Sequence, residues 1–452
     1  MKTDNSKKIT LLLSLTGVIV LVFSFLQWLN DSSYSLLGII SALTSVVIAL
    51  AIYLEFVPEW MNFWSINEDK HDKNDKINNN ILIRIFFFYT AVCVVILLMI
   101  YFIRYIKGYS ATFYDSILVW GETDANHYKD ISREWYLSEG EWDRLVQLVF
   151  LPGYPLLIKL LAVIVKDYYI AGIIVSIASF SLSGCMMYKL MRLDYSHKEA
   201  LKAVKYMCII PASFFFAGPM SESLFLLLCI SCIYCLRTEK WFWGCILGGY
   251  AAFTRSLGIT LLVPAVMELV RKTVNTDKEA CNTTELLSKA ASLTIIPSGL
   301  AAYCAINYFV SGNPFKFMEY QSTHWGQNPG WFFNTAAYQT ELIASNWQSN
   351  FKIILGLWLP NVLMFFISLI IVLLTVKKLR AGYTAWFIVY FIISMGATWL
   401  LSAPRYLAAL VVMPVALSQI AENKKADNII TCCCLIFNLI YLYTFSVRWY
   451  VW

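Results

Sequence analysis

The sequence predicts an all-helical, polytopic membrane protein, and three observations carry that reading. Hydrophobic residues make up 59% of the chain and charged residues 14%, whereas soluble domains carry roughly a quarter charged residues. Mean hydropathy is +0.62. Apolar runs of about 20 residues, the length that crosses a bilayer as a helix, recur from one end of the chain to the other. The net charge of +6 fits a membrane chain whose basic residues gather in cytoplasmic loops, so nucleic acid is not an expected partner.

Residues 9–29 and 36–56 form an amino-terminal hairpin of two spans. The first has an apolar region too long for a signal peptide and lacks a small-residue cleavage site, so it is expected to be retained. Residues 57–80 are polar, and 81–106 make the third span. Residues 107–148 then form a long loop crowded with acids: Asp115, Glu122, Asp124, Asp130, Glu134, Glu139, Glu141 and Asp143. The apolar run 150–165 is short, opens with two prolines and carries Lys159 in its middle, which predicts an interfacial or re-entrant helix. Further spans are expected near 168–191, 201–216, 224–236, 241–253, 257–270, 291–310, 353–376, 383–401, 407–420 and 429–445. That makes about 13 transmembrane helices with large outer loops. Several are interrupted by Gly or Pro and read as broken helices lining a protected cavity. Three units result: 1–106, the hairpin plus first core helix; 107–166, the outer loop with its re-entrant helix; and 167–452, a transmembrane core with an outer loop at 311–350.

The positive-inside rule orients the chain. With 150–165 not spanning, the clusters Lys189, Arg192, Lys198, Lys202, Lys205, then Arg271, Lys272, then Lys377, Lys378, Arg380 all fall on the inner side. The loops 107–148, 218–223, 254–258, 311–350 and 403–406 then open on the outer face. Of two glycosylation-type triplets, Asn30-Asp-Ser32 faces outward and Asn282-Thr-Thr284 inward. The 12 cysteines lie mostly in apolar runs, where they act as small hydrophobes; Cys232 and Cys235 have redox spacing but sit inside such a run. Four histidines without ligand spacing argue against a zinc or haem site.

Polar groups beside apolar sequence are costly and tend to be functional. Asp124 is a candidate general base able to take a proton from an acceptor hydroxyl; a solvated loop acid is the bland alternative. His127 lies three residues on and faces the same way if this is a helical turn. Arg255 interrupts an apolar run and can hold phosphate through its fork of donors, or simply pair with Glu222. Glu222 sits at the mouth of a span, where an acid favours a helix amino terminus. Arg405, after Pro404, is a second phosphate or interfacial anchor. Trp325 and Trp331, near Gln321, His324 and Gln327, can stack on a sugar, although aromatic residues are common at membrane interfaces without that role.

In order along the chain stand Asp124-Ala-Asn-His-Tyr128, Phe150-Leu-Pro-Gly-Tyr-Pro155, Ser221-Glu-Ser-Leu-Phe225, Thr254-Arg-Ser-Leu-Gly258, Gly312-Asn-Pro-Phe315 with Gln321 and Trp325, and Pro404-Arg-Tyr406. This series resembles the PIG-V-type mannosyltransferases, relatives of the second mannosyltransferase of glycosylphosphatidylinositol assembly, over about two thirds of the chain. The resemblance implies a GT-C glycosyltransferase fold and an inverting, metal-independent transfer of a sugar, usually mannose, from a polyprenyl-phosphate donor to a lipid- or glycan-linked acceptor. The catalytic acid of that family maps onto Asp124. Its donor-phosphate and substrate contacts would fall among His127, Tyr154, Glu222, Arg255, Gln321, Trp325 and Arg405. One departure stands out: the family pattern puts Trp directly before the acid, where this chain has Thr123, with Trp120 three residues earlier. The hairpin 9–56 lies outside the resemblance. No cofactor beyond the lipid-linked sugar is expected. The membrane would be the plasma membrane in a bacterium and the endoplasmic reticulum in a eukaryote. Alternatives from other classes are a transporter or flippase of lipid-linked sugars and a non-catalytic partner of a glycosylation complex. A transporter should carry its ionisable groups at mid-membrane, whereas here they gather in outer loops and helix ends.

Overall fold

The computed structural model describes residues 2–64, 77–275 and 283–451. Asn282 and residues 65–76 of the polar segment after the hairpin lie outside these. The described residues form helices and short turns of 3-10 or π helix, with no strand beyond one bridge between Pro329 and Ala397. Seven helices are long and apolar enough to cross a bilayer: Lys7–Asp31, Leu36–Phe63, Asn79–Ile106, Tyr168–Met191, Thr283–Ser311, Phe351–Thr375 and Lys424–Ser446. The chain is an integral membrane protein.

Seven is fewer than the expected 13 or so, and the difference lies between residues 197 and 420. There the apolar segments fold as His197–Ile209, Glu222–Arg237, Trp241–Thr254, Leu262–Asn275, Ala381–Met395 and Val412–Ile420. A helix of 14 residues reaches about 21 Å, short of the ~30 Å hydrocarbon core. Three of these boundaries are visible in the sequence or backbone: Gly218-Pro219 before Glu222–Arg237, the extended Arg255 after Trp241–Thr254, and Gly396 after Ala381–Met395. These short helices pack on one another and on the enclosed helix Tyr168–Met191, and they bury polar groups that lipid could not accept. Helices Trp241–Thr254 and Ile295–Ser311 touch backbone to backbone. A Cβ on Gly299 would stand 1.8 Å from the Gly249 carbonyl oxygen, so only glycine permits that crossing.

The segment around 150–165 is sharply bent, the geometry of a broken span or of a re-entrant loop. Helix Gly153–Val165 turns 111° from the preceding Trp142–Val149 pair. Its first residue presses on the end of Trp241–Thr254, where the Tyr250 hydroxyl donates to the Gly153 carbonyl at 2.7 Å. The acidic loop is more ordered than its composition suggests. Thr112 and Asp115 close a reciprocal capping box over Phe113–Ile117, which satisfies two free helix-end donors, and helix Ala125–Glu134 follows. The amino-terminal hairpin packs on helix Phe332–Asn346. The Ser41 hydroxyl donates to the Ala336 carbonyl at 2.9 Å, and Trp28 and Tyr34 both donate to Asn334.

Candidate active site

Asp124 occupies the N-cap position of Ala125–Glu134 but makes no side-chain cap bond, so its carboxylate is free to point away from the helix. The residues before it are anchored. Trp120 is fully buried and packs its ring against Phe445 at 4.5 Å and Phe215 at 5.6 Å. Thr123 is buried too, its hydroxyl donating to the Trp120 carbonyl at 2.6 Å. Here the aromatic anchor sits one 3-10 turn before the acid, and Thr123 ties the two together.

Arg405 lies in the short helix Ala403–Ala408, 5% exposed. Its Nη2 donates to Asp124 Oδ2 at 2.8 Å, and its Nε stands 3.3 Å from Glu222 Oε1. Nη1 has no hydrogen-bond partner. The guanidinium rests over the Phe215 ring, 5.3 Å from its centre. Glu222, the first residue of Glu222–Arg237, is wholly buried and joins two arginines. Its Oε1 also accepts from Arg255 Nη1 at 2.7 Å, while Oε2 has no partner. Arg255 donates as well to the Ser221 hydroxyl at 3.0 Å and lies 5.1 Å from the Tyr406 ring centre. Ser221 pairs at 2.9 Å with the hydroxyl of Tyr128, one turn beyond Asp124.

These groups border a cavity of about 160 Å³. Asp124, Tyr128, Arg255 and Arg405 stand on its wall with Gln321, Trp325 and Gln327 of the 311–350 segment. Of the eight acids in the loop, Asp124 alone lines it. Of the other residues singled out from the sequence, Glu222 sits behind the wall, reaching the cavity through its two arginines. His127 turns aside and stacks on Phe150, ring centres 4.5 Å apart; burial holds its pKa below the usual histidine value, against the pull of Asp124, Asp130 and Asp143. Tyr154 is buried behind Tyr128, its hydroxyl donating to the Gly172 carbonyl at 2.8 Å. Trp331 stacks on Phe333 away from the cavity. Glu122 pairs with Arg448 at 3.2 Å instead of joining Asp124, and among the described residues no group of three or more His, Cys, Asp or Glu could hold a metal ion.

Tyr128, Ser221 and Thr254 stand in the motifs quoted from the sequence but are given no role there, and Ser402 is not singled out. Tyr128 was findable, since four residues after Asp124 it shares a helix face. Ser402 sits in an apolar stretch with no local pattern to mark it.

No family model matches the chain, and no curated protein does. Among solved structures it is similar to the Archaeoglobus fulgidus oligosaccharyltransferase tethered with an acceptor peptide, with a TM-score of 0.40 at 11% identity, over 81% of this chain and 55% of that one. It is also similar to the archaeal oligosaccharyltransferase AglB from the same organism, in complex with an inhibitory peptide and a dolichol-phosphate. There the TM-score is 0.37 at 11% identity, over 80% of this chain and 56% of that one. The chain spans about half the length of these structures.

Proposed function

We propose that this membrane protein is an inverting glycosyltransferase of the GT-C type. It would move a sugar, with mannose the favoured choice, from a polyprenyl-phosphate donor to a lipid- or glycan-linked acceptor on the outer or lumenal face. The observation that carries the reading is the cavity wall shared by Asp124, Arg405 and Arg255, with the Asp124 carboxylate bonded to the buried Arg405. The ordered PIG-V-like motifs supply the choice of sugar and donor.

In this reading the donor's phosphodiester, with one negative charge, lies against Arg255 and Arg405. The cavity admits a sugar-phosphate head, and the prenyl chain stays outside it among the helices. An acceptor hydroxyl donates its proton to Asp124 as its oxygen forms a bond to the anomeric carbon. The bond from that carbon to the phosphate oxygen breaks, and its electron pair leaves with the phosphate. The phosphate gains one negative charge as Asp124 loses one. Arg405, bonded to Asp124 beforehand, can transfer its attraction to the departing phosphate as that charge moves, so positive charge meets the leaving group where it develops. Gln321 and Trp325 are placed to orient the sugar. The positive charge in this scheme comes from the two arginines.

The test uses the purified chain in nanodiscs with polyprenyl-phosphate-linked radiolabelled mannose and membrane-extracted acceptors. Wild type should transfer label, and Asp124→Asn should bind donor without transferring it. Normal transfer by a folded Asp124→Asn would overturn the assignment of the base. Donor movement across the membrane without transfer, in both forms, would favour a flippase.

A further inference from the structure

A second cavity, of about 390 Å³, lies beside the first and takes no part in the scheme above. Its walls come from the turn of the amino-terminal hairpin at Tyr34, from Tyr338, Glu341 and Ser345 of helix Phe332–Asn346, and from Thr398 and Trp399. The strip 398–402 serves both cavities. Trp399 borders this one, while Leu401 and Ser402 line the one that holds Asp124. Three residues of chain span at most about 10 Å, so the two cavities are neighbours.

Trp399 presents a third of its surface, 36%, and is held in place before any ligand arrives. Tyr338 stacks on it with ring centres 5.7 Å apart and planes 12° from parallel, and Trp358 meets it edge-on at 5.4 Å. The backbone on its carboxyl side is pinned as well. The Leu400 N–H donates to the Tyr338 hydroxyl at 2.6 Å, and the Leu400 carbonyl accepts from Gln339 at 2.9 Å and Asn361 at 3.2 Å. A rigid indole offers contact area with little loss of entropy on binding. Glu341 supplies the polar side of the cleft. The Ser35 N–H bonds its Oε1, and a carboxylate accepts about four hydrogen bonds, so ligand hydroxyls have acceptors left to reach.

We propose that this cleft is an acceptor subsite that seats a saccharide ring on Trp399, with Glu341 accepting from its hydroxyls. It rests on the glycosyl-transfer reading and narrows it: the acceptor carries a glycan of two or more sugars, one on Trp399 and the terminal one reaching Asp124. An acyl chain is a poor occupant, because it would strip water from the Glu341 carboxylate without replacing its hydrogen bonds. A quaternary ammonium group calls for several ring faces turned toward it, whereas Tyr338 lies parallel to Trp399 and leaves one platform. The subsite also gives the amino-terminal hairpin a task, since Tyr34 at its turn lines the cleft and the Ser35 N–H holds Glu341.

The test is an array of defined saccharides probed with the full chain in nanodiscs, without donor. Wild type should capture saccharides of two or more sugars. Trp399→Ala should weaken capture by about tenfold or more, Glu341→Gln should weaken it several-fold, and Trp399→Phe, which keeps an aromatic face, should restore most of it. Capture of no saccharide by wild type, or equal capture by folded Trp399→Ala, would overturn the proposal. Transfer assays separate it from the reading it rests on. Transfer with an acceptor KM indifferent to Trp399→Ala and Glu341→Gln sinks the subsite alone. Trp399-dependent capture by a chain that never transfers sugar sinks the acceptor role and the transferase reading, and leaves a saccharide-binding cleft.

Discussion

Helix Glu222–Arg237 buries an ion cluster at each end, about 22 Å apart at 1.5 Å per residue. At its carboxyl end Arg237 donates to Asp194 from both terminal nitrogens, one bond measuring 2.6 Å, and Nη1 also reaches the Tyr383 hydroxyl. Beside it Arg380 grips Glu268 with two parallel bonds, Nε to Oε1 at 2.6 Å and Nη2 to Oε2 at 2.8 Å. The guanidiniums of Arg271 and Arg380 lie over the Phe63 ring at 5.1 and 5.2 Å. The amino end holds one arginine fewer, two arginines with two acids, and joins them sparingly. Arg405 touches Asp124 through one oxygen, Arg255 touches Glu222 through one oxygen, and Arg405 Nη1 and Glu222 Oε2 have no partner. Buried charge stands at both ends, and so does a spare donor, since Arg237 Nε has no partner either. What sets the amino end apart is that Asp124, Arg255 and Arg405 line a cavity.

The sharpest way to break this comparison is to neutralise one acid at each end. Asp124→Asn should lower the transfer rate by about 10²- to 10⁴-fold, the usual contribution of a positioned general base, with a smaller stability loss than its counterpart at the carboxyl end because its site opens on the cavity. Asp194→Asn should leave the rate per folded molecule near wild type and lower stability instead. Rates and unfolding curves on matched nanodisc samples would decide. A rate loss of similar size in Asp194→Asn would erase the distinction.

Next in size is the pair of bridging glutamates. Removing one partner from a buried ion pair leaves an uncompensated charge and costs about 3–5 kcal/mol. Glu268→Gln, which frees a twice-bonded Arg380, should pay near that full range in unfolding free energy while sparing the rate. Glu222→Gln should cost less stability, because Arg405 keeps Asp124 and both arginines border the cavity. Its loss should appear as weaker donor binding and slower transfer, since the two arginines lose their common anchor. Equal stability losses at the two sites would mean that the cavity does not relieve the buried charge.

A smaller effect should come from ligand. A short-chain prenyl phosphate that binds only the folded protein stabilises it by about 2.7 kcal/mol at 100 times its Kd. The rise in unfolding temperature should vanish in Arg405→Lys. A lysine offers a point charge in place of a planar fork and cannot serve Asp124, Glu222 and a phosphate together. Arg380→Lys should keep the rise, from a lower starting temperature. Protection that survives in Arg405→Lys would place the anion elsewhere.

The long spans were legible because length and hydropathy alone decide them. The hairpin, 79–106, 168–191 and 424–446 come within a few residues of the apolar runs that predict them. The short helices between residues 197 and 420 were read as spans for the same reason: apolar sequence looks alike whether lipid or protein surrounds it. Their true lengths depend on tertiary breaks such as the one at Arg255. At the site, Asp124, Arg255, Arg405 and Glu222 could be picked out because each is charged in or beside apolar sequence, where charge needs a reason. Their pairing could not be read, since Asp124 and Arg405, 281 positions apart in sequence, are brought together by packing. His127 and Tyr154 belong to equally suggestive motifs, yet they face away from the cavity, because side-chain direction is set by which neighbour fills the space, here Phe150 for the one and Gly172 for the other. Trp399 and Glu341 carry no local signal at all, and only the packing of the hairpin on helix Phe332–Asn346 gathers them into a cleft.

The smallest predicted effect concerns pH, and it belongs to the shoulder of the site alone. Arginines do not titrate in the accessible range, so neither cluster gains or loses positive charge between pH 5 and 7. His127 does titrate there. Burial against Phe150 favours its neutral form and lowers its pKa from the ordinary value near 6.5. Below about pH 6.5 the unfolded chain therefore binds a proton that the folded chain resists, and folding stability falls as pH falls through that window. Above it the two states bind equally and the contribution is flat. His127→Phe keeps a ring to stack on Phe150 and removes the proton. Its unfolding temperature should decline less steeply than that of wild type between pH 7 and pH 5, with the two curves parallel above pH 7. Transfer activity at pH 7 should change little, because His127 is turned from the cavity that Asp124 faces. A large loss of activity in His127→Phe, with stability intact, would instead mean that the imidazole swings into the cavity when donor binds, and that the wall of the site is wider than the four charged groups that define it here.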